Sequence, residues 1–250
     1  MSEIEQYIVH DLFFHDIQKE ILNKLLKSMK KILLTVIPLA FTLISYGQNN
    51  LTNMEKMEGF ELLFNGENLD GWVGNKIDYG VEDGIIVIYP DKGGSGNLYT
   101  EKEFANFNFR FEFQLTPGAN NGLGIRAPLE GNAAYKGMEL QIIDDTGGKY
   151  KGELLKEYQY HGSVYGVIPA KPGFLKPAGE WNIQEVIADG DNIKVILNGE
   201  VIVDGNLKEA RKGGTIDGEK HPGLKNKKGH IGFLGHGDVV RFRSIRIKEL

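Results

Sequence analysis

From Phe60 onward the hydrophobic and polar positions of the chain alternate with a period of two. The clearest run is "FNFRFEFQL", in which Phe107, Phe109, Phe111, Phe113 and Leu115 share one side and Asn108, Arg110, Glu112 and Gln114 the other. That is the pattern of a strand with one buried face. "NIKVILNGEVIVDG" sets Asn198-Gly199 between two β-branched runs, which predicts a hairpin with a two-residue type I′ turn. "DGIIVIY", "GLGIRA" and "HIGFLG" predict further strands bounded by Gly, Asp or Pro. In the last stretch, "DVVRFRSIRIKEL", Val240 and Phe242 are out of phase with Ile245 and Ile247. A β-bulge near Ser244 returns both pairs to one core. Helical periodicity after residue 60 is confined to "KGELLKEY". So many short strands in one domain predict an all-β fold of two stacked antiparallel sheets.

Composition narrows this picture. The 33 glycines among 250 residues favour many tight turns over long helices. A net charge of −5 argues against a nucleic-acid partner. Cysteine is missing, which removes disulfides, thiolate metal sites and a cysteine nucleophile; a domain of this size can bury enough surface without them. "MKKILLTVIPLAFTLISYGQ", from Met29, has a basic start, an apolar run and the small residues Ser45 and Gly47. It predicts a signal peptide over 29–47, cleaved before Gln48, and an exported product, periplasmic or extracellular, with no membrane attachment after cleavage. Residues 1–28 then read as an extension from a mis-assigned start, and 48–59 as a short linker to a domain over 60–250.

The candidate chemistry starts in "GMELQIIDD" (137–145). A regular strand puts Glu139 and Gln141 on one face and Leu140 and Ile142 on the other. Asp144 joins Glu139 only if a bulge falls at Ile142 or Ile143. Glu-x-Gln-x-x-Asp would then form a polar row suited to a sugar-processing cleft, although the same residues also suit the solvent face of an edge strand. "GLGIRAP" places Arg126 on a neighbouring strand, where it can pair with Glu139 or clamp an anion, and "HGSVYG" adds His161 and Tyr165. His236, between glycines at the end of a strand, is a further ligand-contact candidate, whereas His221 and His230 read as surface residues. Metal spacing of the His-x-x-x-His kind is absent, and "DDTGGK" holds a divalent cation only with ligands from elsewhere. No Gly-x-Ser-x-Gly elbow exists, and Ser163 has no placed acid. The polar loop 205–229 reads as a solvated connection, with a lid as the alternative.

Five stretches, "FELLFNGENLDGW", "LYTEKEFANFNFRFEFQLTPGANNGLGIRAP", "GMELQIIDD", "YGVIPAKPGFLKPAGEWN" and "GHIGFLGHGDVVRFRSIRIKEL", together resemble the 3-keto-disaccharide hydrolase family from about Phe60 to Leu250. The resemblance implies a concanavalin A-like jelly-roll sandwich of two curved antiparallel sheets. It also implies an oligosaccharide or glycoside substrate oxidised at C3, cleaved by hydrolysis or by elimination and hydration. A ketone at C3 acidifies the C2 proton, so one general base starts the reaction. On spacing and chemistry Glu139 is that base, supported by Arg126 and Asp144. Arg126, Lys176, His161 or a divalent metal would face the enolate oxygen, and Gln141, Tyr165 and His236 would orient the sugar. Gly235 stands where relatives usually carry an acid, which bears on His236. Two other functions fit the fold: a non-catalytic carbohydrate-binding module, and a retaining β-glucanase, which needs a second carboxylate beside Glu139.

Overall fold

The computed structural model describes residues 23–24, 49–92, 96–150 and 155–250. The chain divides into two compact units, Met1–Gly47 and Gln48–Leu250. The extension and leader expected over the first unit lie, apart from residues 23–24, outside the described residues. No described helix is long and apolar enough to cross a membrane.

The second unit begins with helix α1 (Asn53–Glu58), so the segment expected as a linker is structured. Thr52 caps it: the Thr52 hydroxyl accepts from the Glu55 amide, and the Glu55 carboxylate accepts from the Thr52 amide. The same carboxylate pairs with Arg246, which fastens the helix to the last strand. The strands follow in chain order as β1 (Glu61–Leu62), β2 (Trp72–Gly74), β3 (Tyr79–Glu82), β4 (Ile85–Ile88), β5 (Leu98–Thr100), β6 (Phe107–Leu115) and β7 (Asn120–Ala127). Helix α2 (Ala133–Lys136) precedes β8 (Met138–Ile143), β9 (Trp181–Asp189), β10 (Asn192–Leu197) and β11 (Glu200–Asn206). Helix α3 (Leu207–Ala210), β12 (His230–Gly235) and β13 (Val240–Glu249) complete the unit.

These strands form the two antiparallel sheets of a jelly-roll sandwich. The larger has the order β11-β10-β9-β6-β13-β4-β3, with β1 also on β13, and the smaller the order β2-β5-β12-β7-β8. All five apolar residues of β6 are buried and the polar residues between them are not. The two sheets meet through their aromatics: Phe233 of β12 stacks on Phe242 of β13 at 3.7 Å and lies 5.9 Å from Phe111 of β6. The register of β13 on β6 slips between Arg243 and Arg246, where Ser244 has φ +53°. This is the expected bulge, and it leaves Val240, Phe242, Ile245 and Ile247 all buried. Asn198 (φ +52°) and Gly199 (φ +93°) make the expected tight turn between β10 and β11. The helix-like "KGELLKEY" resolves differently: 151–154 are outside the described residues, and Glu157–Gln159 form a short 3-10 turn.

Candidate active site

Strand β8 ends the smaller sheet, yet its outer edge is covered. The Gln141 amide donates to the Ser163 carbonyl, the Gly162 amide to the Gln141 carbonyl, and the Tyr165 amide to the Glu139 carbonyl. This pairing lays Gly162–Tyr165 alongside β8 and brings the Tyr165 ring next to Glu139. Glu139 and Gln141 are buried and line a cavity of about 330 Å³ together with Asn120, Tyr135, Tyr165 and His236. Alternation holds to the end of β8, because Ile143 lines the cavity too.

Three strands create the central contact. Gly122 of β7 pairs with Gln141 of β8 and with Leu234 of β12, so it lies between Glu139 and the end of β12. The Glu139 side chain crosses β7 at this point, where a Cβ on Gly122 would lie 2.1 Å from Glu139 Oε1. Having crossed, Oε1 meets Nε2 of His236 at 3.1 Å. His236 stands at the mouth, with 40% of its side chain exposed against 7% for Glu139. The hydrogen bond to Glu139, more than burial opposes it, raises the His236 pKa above that of an ordinary imidazole. A side chain at position 235 would point toward Ile88, away from this pair, so the glycine there leaves the contact intact.

The remaining lining residues are hydrogen-bonding groups. Gln141 Nε2 donates to Asn120 Oδ1 at 3.0 Å, and the Asn120 amide donates to Asp238, which also pairs with Lys149 at 2.8 Å. The Tyr165 and Tyr135 phenols are both pushed up, first by burial and then by neighbouring tyrosines and acids; for Tyr165 the Gln159 side chain works in the other direction. Both stay protonated at neutral pH and can donate. Behind them the segment 205–229 is largely exposed, as expected of a solvated connection, and part of it braces the site. The Ile216 amide donates to the carbonyl of Gly166, next to Tyr165. The His221 ring packs 4.8 Å from Tyr135 and is held between Asp217 and the Ala134 carbonyl. His221 is accordingly buried, contrary to its expected surface position, whereas His230 is partly buried and bonded to the Thr100 carbonyl.

Four expected site residues are placed elsewhere. Arg126 shares the parity of Gly122 and Gly124, but β12 slips against β7 between His230 and Gly232, and Arg126 has φ +47°. That bulge turns its guanidinium inward to the carbonyls of Ala105 and Gly190 and to Asn106, so it does not reach Glu139. Asp144 needed a bulge in β8, and β8 runs in unbroken register with β7. Its carboxylate instead accepts from the Gly118 amide and from Thr146, holding the turn before β7. Lys176 lies on the outer face of the larger sheet and donates to the Trp181 carbonyl. His161 points between the sheets: its ring stacks on Phe113, Nδ1 accepts from the Ile143 amide, and Nε2 donates to Gln184. Glu139, Gln141, Tyr165 and His236 are brought together. Asn120 and Tyr135 were not expected. Asn120 was accessible to the alternation of β7, but no periodic signal marked Tyr135. Among the described residues no group of three or more His, Asp or Glu is placed to hold a metal ion.

Burial pushes the His161 pKa down to about 4, against the hydrogen bond that Nε2 gives to Gln184. In the unfolded chain the ring titrates near ~6.5. Between those values the unfolded state binds the extra proton, so stability present above pH ~6.5 is lost as pH falls through about 4. The loss attributable to this ring is about 3 kcal/mol. Urea unfolding of the native protein and His161→Gln between pH 7 and 4 should give a flatter profile for the variant by that amount; parallel profiles would refute it.

Comparison with known proteins adds an independent line. A 3-keto-disaccharide hydrolase of Bacteroides thetaiotaomicron is 26% identical over 229 residues, covering 77% of this chain and 79% of the relative. The crystal structure of a candidate glycosyl hydrolase from Parabacteroides distasonis superposes with a TM-score of 0.69 at 29% identity, over 81% of this chain and 99% of the other. A second structure from the same organism gives 0.66 at 28%, over 76% and 99%. The 3-keto-alpha-glucoside-1,2-lyase-like domain model matches residues 59–248, the whole sandwich with its Glu139–His236 contact, and the chain belongs to that family.

Proposed function

We propose that the protein cleaves glycosides already oxidised at C3, with Glu139 taking the C2 proton and His236 supplying one to the departing oxygen. One observation carries this reading: among the described residues lining the cavity, Glu139 is the only carboxylate. A glycosidase acting on an ordinary sugar needs two, one on each side of the scissile bond. A ketone at C3 removes that need by making the C2 hydrogen acidic.

Loss of the C2 proton to Glu139 places the electron pair in an enolate on the C3 oxygen, which phenol donors such as Tyr165 and Tyr135 suit. Re-formation of the C3 carbonyl makes the C1=C2 double bond and breaks the bond from C1 to the leaving oxygen. That oxygen takes the His236 proton. Addition of water across C1=C2 then gives the free 3-keto sugar, so lyase and hydrolase outcomes differ only in whether hydration follows on the protein. The raised His236 pKa suits the acid role, because the ring keeps its proton to higher pH than an ordinary imidazole.

The test compares a 3-keto-glucoside with its unoxidised parent, following release of the aglycone. Release from the oxidised compound alone is the expected result. Equal rates on both would overturn the reading and require a second carboxylate in the cavity.

A further inference from the structure

The outer face of the smaller sheet holds a second hollow, of about 550 Å³, whose walls include Tyr99, Val73, Asn97, Ile77 and Leu129. The turn before β8 stands between the two: Leu129 lines the second hollow and Tyr135 the first. Sheet register links them. Tyr99 of β5 pairs with Gly232 of β12, Gly232 with Gly124 of β7, and Gly124 with Glu139 of β8. Three strand spacings place the Tyr99 and Glu139 backbones about 14 Å apart, more than one sugar ring and within the reach of two. The middle two positions of this row are glycines covered by neighbours, the Tyr99 ring over Gly232 and the Leu234 side chain over Gly124, so an apolar floor joins the two hollows.

Direction comes from strand order. In β5-β12-β7-β8, His236 at the end of β12 lies between Glu139 and the second hollow. The group that gives the leaving oxygen its proton is thus on the side of the cavity nearer Tyr99. The hollow itself has the mixed character a pyranose needs. Asn97 Nδ2 donates to the Tyr99 hydroxyl at 2.9 Å, which leaves the phenol proton to point at a ligand. Ile77 and Leu129 are 63% and 50% exposed, offering apolar contact to the C–H face of a ring. Burial first, and the Glu139 charge after it, push the Tyr99 phenol up, so it remains a donor.

We infer that this hollow is the leaving-group subsite, holding the second sugar of a 3-keto-disaccharide while the oxidised ring occupies the Glu139 cavity. The inference rests on the elimination proposed above. Its test uses 3-keto-maltose and methyl 3-keto-α-glucoside, which share the oxidised ring and differ in what departs. The native protein should prefer the disaccharide in kcat/KM. Tyr99→Phe and Ile77→Asp should each cut that preference by about tenfold, mainly through KM; the first keeps the ring and the second alters an exposed side chain, so both should fold. An undiminished preference in both variants would overturn the subsite while leaving the elimination standing. Inertness of the native protein toward both compounds would remove the elimination reading, and the subsite with it.

Discussion

Glu139→Gln is expected to lower turnover on a 3-keto-glucoside by about 10²-fold or more while leaving the fold intact. The amide has nearly the size of the carboxylate, can still cross β7 above Gly122, and can still bond to His236. It cannot take a proton from carbon. Because proton abstraction is demanded only as the reaction proceeds, kcat and kcat/KM should fall together, with KM little changed. Denaturant unfolding of the variant should superimpose on that of the native protein to within about 1 kcal/mol. Near-native turnover would show that another group is the base.

Phe111→Ala should cost about 3 to 5 kcal/mol of stability. The Phe111 ring is buried in contact with Phe109 and Phe113 along its own strand, and with Phe233 and Phe242 from the other sheet and the next strand. Removing it leaves a void where the two sheets meet, and neighbours on rigid strands can close only part of it. Urea midpoints at constant slope measure the loss. A cost below about 1 kcal/mol would mean that this row is not the centre of the core.

Alternation made the frame of the molecule legible, since a strand with one buried face writes its orientation in every second residue. It also exposed the Ser244 bulge, because apolar residues on both sides of that position fall in opposite phases. The Arg126 bulge left no such mark. Only Ala127 and Pro128 follow it before the turn, so nothing in the sequence reports the change of phase that carries Arg126 away from Glu139. Asp144 failed for the opposite reason: β8 keeps its phase and simply ends at Ile143. His161 shows that an imidazole with both nitrogens satisfied can serve as a core residue, a role no local pattern distinguishes from ligand contact. Tyr135 depends on a short helix braced by a segment that lies far along the chain, which is tertiary information.

The Glu139–His236 contact joins residues 97 positions apart and requires three strands to be in register. During synthesis the carboxylate emerges long before the imidazole. Pairing over such a separation forms late, because the chain must lose the entropy of a long loop before the contact rewards it. Under the roles proposed for the pair, a nascent or misregistered chain has the carboxylate without the imidazole and should be inactive. Recovery of turnover during refolding should then trail the recovery of buried β6 aromatics and coincide with the docking of β12.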